Sequence, residues 1–384
     1  MNVSGPGAPG SDIKMVDLFA GPGGLDVAAQ WLGIPTIGIE SSSEACATRS
    51  EAGLPTDQAD VRDRDPDFYP GAKFLAGGPP CQTYSVAGSG AGRDRLHQVH
   101  RLIGKMHREG YEAVRAELAT MRDARTALVL EPLRWILAAE KAGSPYEAVV
   151  LEQVPTVLPL WLEYRTVLRA MGYSADAKVF CAEEYGVPQT RRRAILIAVK
   201  DRELVWPVAS HQRYVRGQHP VGRKPLPWVS MAQALERKDE FEVVSNYGSG
   251  GRSEARGRRR YDEPAYTVTG KVSRNRFVDL KDNYIGHVSI EDAARLQTFP
   301  RRFPWSGRDL SQQVGNAIPP RLAAHVLSAA IFSKCPSTES LDAAVRTDWA
   351  TTARKQTRSI ELYETAGCED LTLRDLRELA PVTA

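Results

Sequence analysis

A cysteine in a stiff, glycine-rich segment is the residue of this chain whose setting most suggests chemistry. Residues 74–88 read FLAGGPPCQTYSVAG, so Cys81 directly follows two prolines and two glycines. A structural cysteine is usually a small buried hydrophobe in an ordinary helix or strand. A nucleophilic cysteine needs a fixed loop that holds its sulfur toward a substrate. The sequence therefore favours Cys81 as a nucleophile.

Three predicted strands each end in a group suited to binding a nucleoside. The first leads into the glycine-rich turn of DLFAGPGGLD, residues 17–26. A cofactor could approach bare backbone there, near a helix N-terminus, although a tight structural turn has the same signature. Glu40 ends the second strand and could accept hydrogen bonds from both hydroxyls of a ribose. Asp60 follows the third and could bind the exocyclic amine of an adenine. Together they predict a nucleoside cofactor.

The elements that must position these groups are predicted to be strands alternating with helices. Short apolar runs occur at 14–20, 36–40, 74–78, 148–154 and 193–199, and helical patterns lie between most of them. Alternation of this kind predicts an α/β fold with a mostly parallel sheet that is covered on both faces.

The composition of the 384-residue chain, 42% hydrophobic and 25% charged, is that of a globular protein. No run of about 18 apolar residues is present, so no transmembrane helix is expected. The five cysteines are scattered without a Cys-x-x-Cys pair, which supports neither a disulfide framework nor a zinc site and fits a reducing cytoplasm. His97, His100 and His107 lie in a charged helical stretch and are interpreted as solvated helix surface rather than as metal ligands.

Positive charge is concentrated in residues 201–276, which contain fifteen Lys and Arg against nine Asp and Glu. The segment is rich in Pro, Gly, Arg and Tyr, and it lacks the strand–helix alternation, so it is interpreted as a separate small domain with mobile loops. A basic segment on a mildly acidic body indicates a polyanion partner, although a solvated surface loop could have the same composition.

Eight segments follow one another in a characteristic order over residues 14–334. The segments are DLFAGPGG, Glu40, Asp60, GGPPCQTYS, EQV at 152–154, QTRRR at 189–193, ARLQTFP at 294–300 and QVGNAIPP at 313–320. In these segments and their order, the chain resembles the DNA (cytosine-5)-methyltransferases of bacterial restriction-modification systems. The resemblance implies an α/β, Rossmann-like S-adenosylmethionine-dependent methyltransferase domain with a small target-recognition domain.

The resemblance implies a reaction in which S-adenosylmethionine methylates a cytosine in double-stranded DNA and leaves S-adenosylhomocysteine. The cytosine must be flipped out of the duplex, which costs a few kcal/mol. Cys81 would add to C6 so that C5 can attack the methyl group, and Glu152 would hold N3 protonated. Arg193 would contact the cytosine carbonyl oxygen. Arg191, expected on the same strand face, would support the site and a nearby phosphate.

Further residues are expected to contact the cofactor and the DNA. Asn316 would help wall the cofactor pocket, and the adjacent residues Arg258, Arg259 and Arg260 are predicted to form a charged track along the phosphates. The implied cofactor-binding residues are Phe19, Ala20, Gly21, Gly23, Gly24, Glu40, Asp60, Val61, Pro80, Asn316 and Ala317. The implied DNA-binding residues are Gln82, Ser85, Arg258, Arg259, Arg260, Thr267 and Thr269.

Five segments are predicted from these matches. They are a flexible leader at 1–13, a catalytic domain at 14–200 and 277–334, a target-recognition domain at 201–276, and a C-terminal tail at 335–384.

A helical insertion is expected at about 89–122, next to the catalytic loop. Leu96, Val99, Ile103 and Met106 of this insertion are spaced to form one apolar stripe. We expect the stripe to pack on the catalytic domain beside the Cys81 loop and to extend the DNA cleft, with a dimer contact or a lid as the alternative.

One motif residue departs from the family pattern, and the substrate has alternatives. Gln153 stands where the family usually has asparagine, and we expect tolerance with some shift of the loop that it anchors. A tRNA cytosine-5 methyltransferase and a catalytically silent DNA-binding regulator remain open, although the intact Cys81, Glu152 and Arg193 speak against the regulator. We expect a cytoplasmic monomer that is nucleoid-associated when bound to DNA. We expect no membrane partner, and a cognate restriction endonuclease would act independently.

Overall fold

Two compact units make up the chain. The first unit consists of Met1–Phe180 and Arg192–Leu204, and the second of Cys181–Arg191 and Val205–Ala384. The second unit therefore includes 277–334, which the sequence assigns to the catalytic domain, and the predicted domain boundaries stay a prediction. The computed structural model describes residues 13–80, 90–119, 127–222, 224–245, 256–354 and 360–364.

Strands and helices are numbered here along the chain. The strands are β1 (Met15–Leu18), β2 (Thr36–Glu40), β3 (Thr56–Gln58), β4 (Phe74–Gly77), β5 (Ala148–Gln153), β6 (Tyr173–Cys181), β7 (Gln189–Thr190), β8 (Arg192–Lys200), β9 (Glu242–Val244), β10 (Arg258–Arg260), β11 (Ala265–Tyr266), β12 (Arg276–Val278), β13 (Tyr284–His287), β14 (Lys334–Pro336) and β15 (Leu362–Glu364). The helices are α1 (Gly24–Trp31), α2 (Ser43–Glu51), α3 (Gly90–Glu109), α4 (Glu112–Ala119), α5 (Glu131–Lys141), α6 (Leu158–Ala170), α7 (Met231–Leu235), α8 (Ile290–Leu296), α9 (Leu310–Asn316), α10 (Pro320–Phe332), α11 (Thr338–Arg346) and α12 (Trp349–Arg354).

A seven-stranded sheet in the order β3-β2-β1-β4-β5-β8-β6 forms the centre of the first unit. Neighbours from β3 to β5 are parallel, and β8 runs antiparallel to β5. β1 is buried along its whole length, as expected for an apolar strand that is covered on both faces. Because parallel strands end at the same edge of a sheet, the segments that follow β1 to β5 lie along one edge, where α/β folds bind their ligands. The predicted α/β class is confirmed.

The predicted helical insertion forms α3 and α4 of the first unit. Val99, Ile103 and Met106 of the predicted stripe are almost completely buried in the core of that unit, so the stripe packs as expected. Leu96 lies outside the residues whose side chains are described. His100 is not solvated as expected, because it lies partly buried with Nδ1 3.7 Å from a carboxylate oxygen of α6. The role of the insertion in DNA binding stays a prediction.

Short strands and helices around a smaller core make up the second unit. An antiparallel sheet in the order β10-β9-β12-β13 packs its apolar side chains with those of α7, α8 and α9. β7 pairs in parallel with β11, which connects the QTRRR segment to the segment after 264. The sequence did not predict this pairing, because a two-residue bridge leaves no periodic pattern.

The predicted C-terminal tail contributes ordered elements to the second unit. β14 pairs with β15 in an antiparallel ladder, and α11 follows β14 directly. Within the described ranges, no helix is long and apolar enough to cross a membrane. The same ranges contain no group of three or more His, Cys, Asp or Glu side chains placed to hold a metal ion.

Candidate active site

The glycine-rich turn after β1 has the open backbone that was expected of it. Phe19 adopts φ +60°, a left-handed conformation that costs energy for a residue with a side chain. A Cβ added at Gly21, where φ is +55°, would meet no atom within 4 Å, so the backbone there borders open space. The turn carries five predicted cofactor residues, namely Phe19, Ala20, Gly21, Gly23 and Gly24, the last of which begins α1.

Glu40 ends β2 and is tied to this turn. Its Oε2 accepts a hydrogen bond from the Gly21 amide at 2.8 Å, and its Oε1 accepts one from the Ser42 amide at 2.7 Å. A carboxylate oxygen has two lone pairs, so each oxygen retains capacity for a ligand hydroxyl.

Asp60 follows β3 at the same sheet edge, as the sequence predicts. It caps the short 3-10 turn that begins at Val61 by accepting from the Arg62 amide at 2.9 Å. It also pairs with the Arg62 side chain at 2.6 Å. The hydrogen bond from Arg62 is the largest cause that holds the pKa of Asp60 below its usual range, so the group is a carboxylate at neutral pH.

A buried ionic cluster beneath the turn was not predicted. Arg49, fully buried, donates to both Asp26 carboxylate oxygens at 2.8 Å. Asp17 of β1 is 1% exposed, and burial, followed by the nearby Asp26 charge, raises its pKa well above the usual range. A Cβ at Gly38 would lie 2.1 Å from Arg49 Nη2, so only glycine fits beside the guanidinium. An acid inside the apolar run of β1 is the signal that could have pointed to this cluster.

Two of the predicted catalytic residues lie together in the first unit. Glu152, next to last in β5, is 6% exposed, and Arg193 is the second residue of the neighbouring strand β8. Arg193 Nε lies 2.6 Å from Glu152 Oε1. Burial lowers the pKa of the Arg193 guanidinium, and the Glu152 charge partly offsets this effect. A paired carboxylate and guanidinium therefore stand at the sheet edge.

The segment that leads to Cys81 is anchored by the residue that departs from the family pattern. Gln153 Nε2 donates to the Pro79 carbonyl at 2.6 Å, and its Oε1 accepts from the Val154 amide at 2.6 Å. The longer amide thus reaches the loop backbone. Pro80 is the last described residue of this segment, and the predicted Cys81, Gln82 and Ser85 lie outside the described residues.

Arg191 belongs to the second unit and is fully buried. Its guanidinium donates to the carbonyls of Val268 at 2.9 Å and of Gly315 and Ala317 at 3.0 Å each. The expectations that it shares a strand face with Arg193 and contacts a phosphate are both wrong, because it precedes β8 and no part of it reaches the surface. Its guanidinium instead links two backbone segments of the second unit.

Close backbone contact explains the glycine of the QVGNAIPP segment. A Cβ at Gly315 would lie 2.2 Å from the carbonyl carbon of Thr269 and 2.3 Å from the Gly270 amide nitrogen. Asn316, which ends α9, is exposed and accepts from Gln312 Nε2 at 2.7 Å. The buried Ala317 carbonyl receives the Arg191 bond described above.

Two buried glutamines complete this network, and the sequence analysis gave neither of them a role. Gln189 donates to Gln297 Oε1 at 2.7 Å and accepts from the Val268 amide at 2.9 Å. Gln297 in turn donates to the carbonyls of Val314 at 2.6 Å and Ala317 at 3.0 Å. Gln189 belongs to the QTRRR motif and Gln297 to the ARLQTFP motif, and this membership was the sequence signal that could have indicated their importance.

The predicted DNA contacts are arranged differently from expectation. Arg259 is 8% exposed, with its guanidinium 4.3 Å from the Tyr214 ring centroid and 4.5 Å from that of Tyr266. Arg258 pairs with two carboxylates, at 3.1 and 2.8 Å, and Arg260 with one at 3.4 Å. Three consecutive arginines cannot form one track on a strand, because neighbouring side chains point to opposite faces. The prediction of a continuous charged track is therefore wrong.

The two predicted threonines lie on the segment that Arg191 and Gln189 hold. Thr267 is partly buried, and its hydroxyl donates to the Thr190 carbonyl at 2.7 Å. Thr269 is also partly buried and accepts from the Lys271 amide at 3.4 Å. Their contact with DNA stays a prediction.

Comparison with known proteins assigns the chain to a family. The model of the C-5 cytosine-specific DNA methylases matches residues 13–106, 121–226 and 210–331. The Type II methyltransferase M.AplI of Arthrospira platensis is 28% identical over 332 residues, which cover 82% of this chain and 84% of that protein. M.FnuDI of Fusobacterium nucleatum, also a Type II methyltransferase, is 26% identical over 351 residues, covering 81% and 92%.

Solved structures resemble the chain in fold. The S. pombe Dnmt2 methyltransferase superposes with a TM-score of 0.56 at 14% identity, covering 84% of this chain and 99% of that one. At this identity the likeness concerns the fold, which is that of a Rossmann-like methyltransferase. With more than half of its residues matched by the family model, the chain belongs to the C-5 cytosine-specific DNA methylases and is an S-adenosylmethionine-dependent DNA (cytosine-5)-methyltransferase.

Proposed function

We propose that the protein methylates C5 of a cytosine flipped out of double-stranded DNA, through a transient bond between Cys81 and C6 of the ring. The observation that carries this proposal is the end of β5. Glu152 there pairs with Arg193 at 2.6 Å, and the next residue, Gln153, holds the carbonyl of Pro79 at 2.6 Å. An acid, a cation and the segment leading to the nucleophile thus share one strand end.

Cys81 and Glu152 have complementary tasks in this chemistry. The Cys81 thiolate forms a bond to C6, and the displaced electron pair moves toward N3, which must hold a proton. The Arg193 ion pair engages Glu152 Oε1, and we assign Oε2 to the N3 proton. Once C5 has taken the methyl group from S-adenosylmethionine and left S-adenosylhomocysteine, the C5 proton departs, the Cys81–C6 bond breaks and N3 returns its proton to Glu152, which restores the aromatic ring and the thiolate.

Arg193 has a second task toward the base. A guanidinium is planar, stays charged and presents several N–H groups in a fixed geometry. Its Nε pairs with Glu152, and we assign the remaining N–H groups to the carbonyl oxygen of the cytosine. The pair would therefore recognise the ring edge and hold Glu152 in register with N3.

The turn after β1 and the ends of β2 and β3 suit S-adenosylmethionine, which supplies the methyl group. The open backbone at Gly21 admits a ligand without a steric clash. Glu40 offers carboxylate oxygens to the ribose hydroxyls and is held by two backbone amides. Asp60, a carboxylate at neutral pH, would accept a hydrogen bond from the adenine amine.

DNA contacts would come from the second unit and from the loop after Pro80. Arg258 and Arg260 are partly exposed and suit the phosphate backbone, which supplies most of the sequence-independent affinity. Gln82, Ser85, Thr267 and Thr269 remain proposed contacts. We propose that the protein works as a monomer. Since M.AplI and M.FnuDI are Type II methyltransferases, we also propose that it protects sites that a separate restriction endonuclease cuts.

Bisulfite sequencing tests this function directly. Genomic DNA would be incubated with the protein and S-adenosylmethionine, and parallel samples would lack the cofactor or contain Cys81→Ser. We expect protected cytosines at one recurring sequence in the complete reaction alone, and 5-methylcytosine in the digested nucleosides by mass spectrometry. Methylation of the exocyclic amine, or equal protection by Cys81→Ser, would refute the proposed chemistry.

A further inference from the structure

A cavity of about 290 Å³ lies within the second unit and is lined by none of the residues assigned above to catalysis, cofactor or DNA. Its walls come from the segment after β6, from 211 and 226–236, from α8 and the residues after it, and from α10 and α11. Leu226, Trp228 and Val345 supply an apolar side. The cavity can hold a small organic molecule, and four arginines and two acids supply the charged part of its lining.

The charged lining has an excess of cations. Arg295 and Arg301 share a single acid, Glu236, which lies 3.4 Å from Arg295 Nη2. Arg321 pairs with Asp342. These three guanidiniums are therefore paired with only two carboxylates.

The fourth arginine, Arg346, stands exposed on α11. In the part of the chain that the structure describes, it has no carboxylate within ion-pair distance. Burial lowers the pKa of Arg321, the Asp342 carboxylate offsets part of this effect, and the Arg346 charge lowers the pKa by a smaller amount. His211 adds no charge at neutral pH, because burial lowers its pKa to about 4. The lining thus carries two more positive than negative charges.

Arg321 is built into the wall in a way that leaves one donor unused. It is 2% exposed, its Nε donates to the Tyr185 carbonyl at 2.9 Å, and its Nη1 donates to Asp342. Among the described residues, nothing accepts a hydrogen bond from its buried Nη2. A buried donor without an acceptor costs about 1–3 kcal/mol, which a ligand oxygen would recover.

Gly186 makes this arrangement sterically feasible. A Cβ there would lie 2.6 Å from Arg321 Nε and 2.7 Å from His211 Cε1, and the residue has φ +74°. Any side chain at this position would displace the guanidinium from the cavity wall. The approach of backbone to Arg321 is therefore a specific feature of this wall.

We propose that this cavity binds the phosphate group of a nucleotide. Guanidinium groups bind phosphate oxygens through paired hydrogen bonds. Arg321 offers an Nη2 group that has no acceptor among the described residues, and Arg346 offers a positive charge that has no ion-pair partner there. The apolar side formed by Leu226, Trp228 and Val345 would face the organic part. The phosphate could belong to a free nucleotide or to the DNA backbone, and the two sources are separable by experiment.

Titration calorimetry of the full chain, without DNA or S-adenosylmethionine, tests the site. Inorganic phosphate and adenosine 5′-monophosphate would be the probes, up to about 20 mM and at constant ionic strength, since weak sites bind near ~1 mM. We expect saturable binding of both, tighter for the nucleotide, and a loss of roughly tenfold in Arg346→Gln.

The matched control is Arg302→Gln, because Arg302 is 80% exposed, pairs with Asp348 at 3.2 Å and does not line the cavity. Its phosphate affinity should equal that of the wild type. Absence of binding, or equal loss in both variants, would overturn the proposal. Both variants are exposed-site changes, so misfolding should not obscure the result.

Measurements with duplex DNA distinguish a free nucleotide from the DNA backbone as the source of the phosphate. If Arg346→Gln leaves duplex affinity and methyl transfer unchanged, the site serves a free nucleotide. If duplex affinity falls in parallel and phosphate competes with DNA, the backbone supplies the phosphate. Because calorimetry requires neither DNA nor turnover, a failure of this site would leave the proposed methyl transfer untouched, and the converse also holds.

Discussion

Replacing Arg191 by lysine tests the claim that one buried guanidinium holds two segments of the second unit. Arg191 donates to the carbonyls of Val268, Gly315 and Ala317 at 2.9–3.0 Å and is fully buried. A lysine ammonium can reach at most one of the three without a backbone shift. Each hydrogen bond to a charged group contributes about 1.5–3 kcal/mol, so the loss of two should lower the free energy of unfolding by about 3–6 kcal/mol.

Urea unfolding followed by tryptophan fluorescence measures this loss. The neighbouring Arg192→Lys is the matched control, because Arg192 is exposed and its change should remain within about 0.5 kcal/mol. A loss of less than about 1 kcal/mol in Arg191→Lys would refute the reasoning.

Three further predictions follow from the site and its surroundings. Glu152→Gln should keep the contact with Arg193 but lower kcat about 10²-fold or more, because an amide cannot supply the N3 proton; a rate within a few-fold of wild type would contradict the role. Gly315→Ala should lower the free energy of unfolding by about 1–3 kcal/mol in urea titrations, since its Cβ would meet the Thr269 backbone at 2.2 Å. His211, neutral in the folded protein because its pKa lies at about 4 rather than near 6.5, contributes stability that is complete above pH 6.5 and declines as the pH falls toward 4. From pH 7 to 5 the wild type should therefore lose about 2 kcal/mol more than His211→Asn, and identical pH profiles would rule this out.

The positions of residues that depend on a local sequence pattern could be predicted from the sequence. The glycine-rich turn and Glu40 stand where short apolar runs end, and Asp60 stands after the third predicted strand. Parallel strands bring such ends to one edge of the sheet. The stripe containing Val99 and Ile103 was also predictable, because helical periodicity is visible within one segment.

Contacts across long sequence separations could not be predicted in this way. The Arg191 bonds cross 77 to 126 residues, and no local pattern indicates which carbonyl a guanidinium will reach. The same holds for Asp17, whose carboxyl meets Arg49 and Asp26 only once the strand and helices are packed. The burial of Arg259 could have been predicted. Residues 258–260 form a strand, and the alternation of side chains along a strand places Arg259 on the opposite face from its two neighbours.

The central claim is that Cys81 forms a covalent bond to the cytosine during methyl transfer, and a trapping experiment tests it most directly. In DNA that carries 5-fluorocytosine, C5 has no proton to release, so the Cys81–C6 bond should persist after methylation. With S-adenosylmethionine present, the wild type should form a protein–DNA adduct that survives denaturant and maps to Cys81, and Cys81→Ser should form none. Methylation of ordinary DNA by a protein that gives no such adduct, or an equal adduct in Cys81→Ser, would contradict the account.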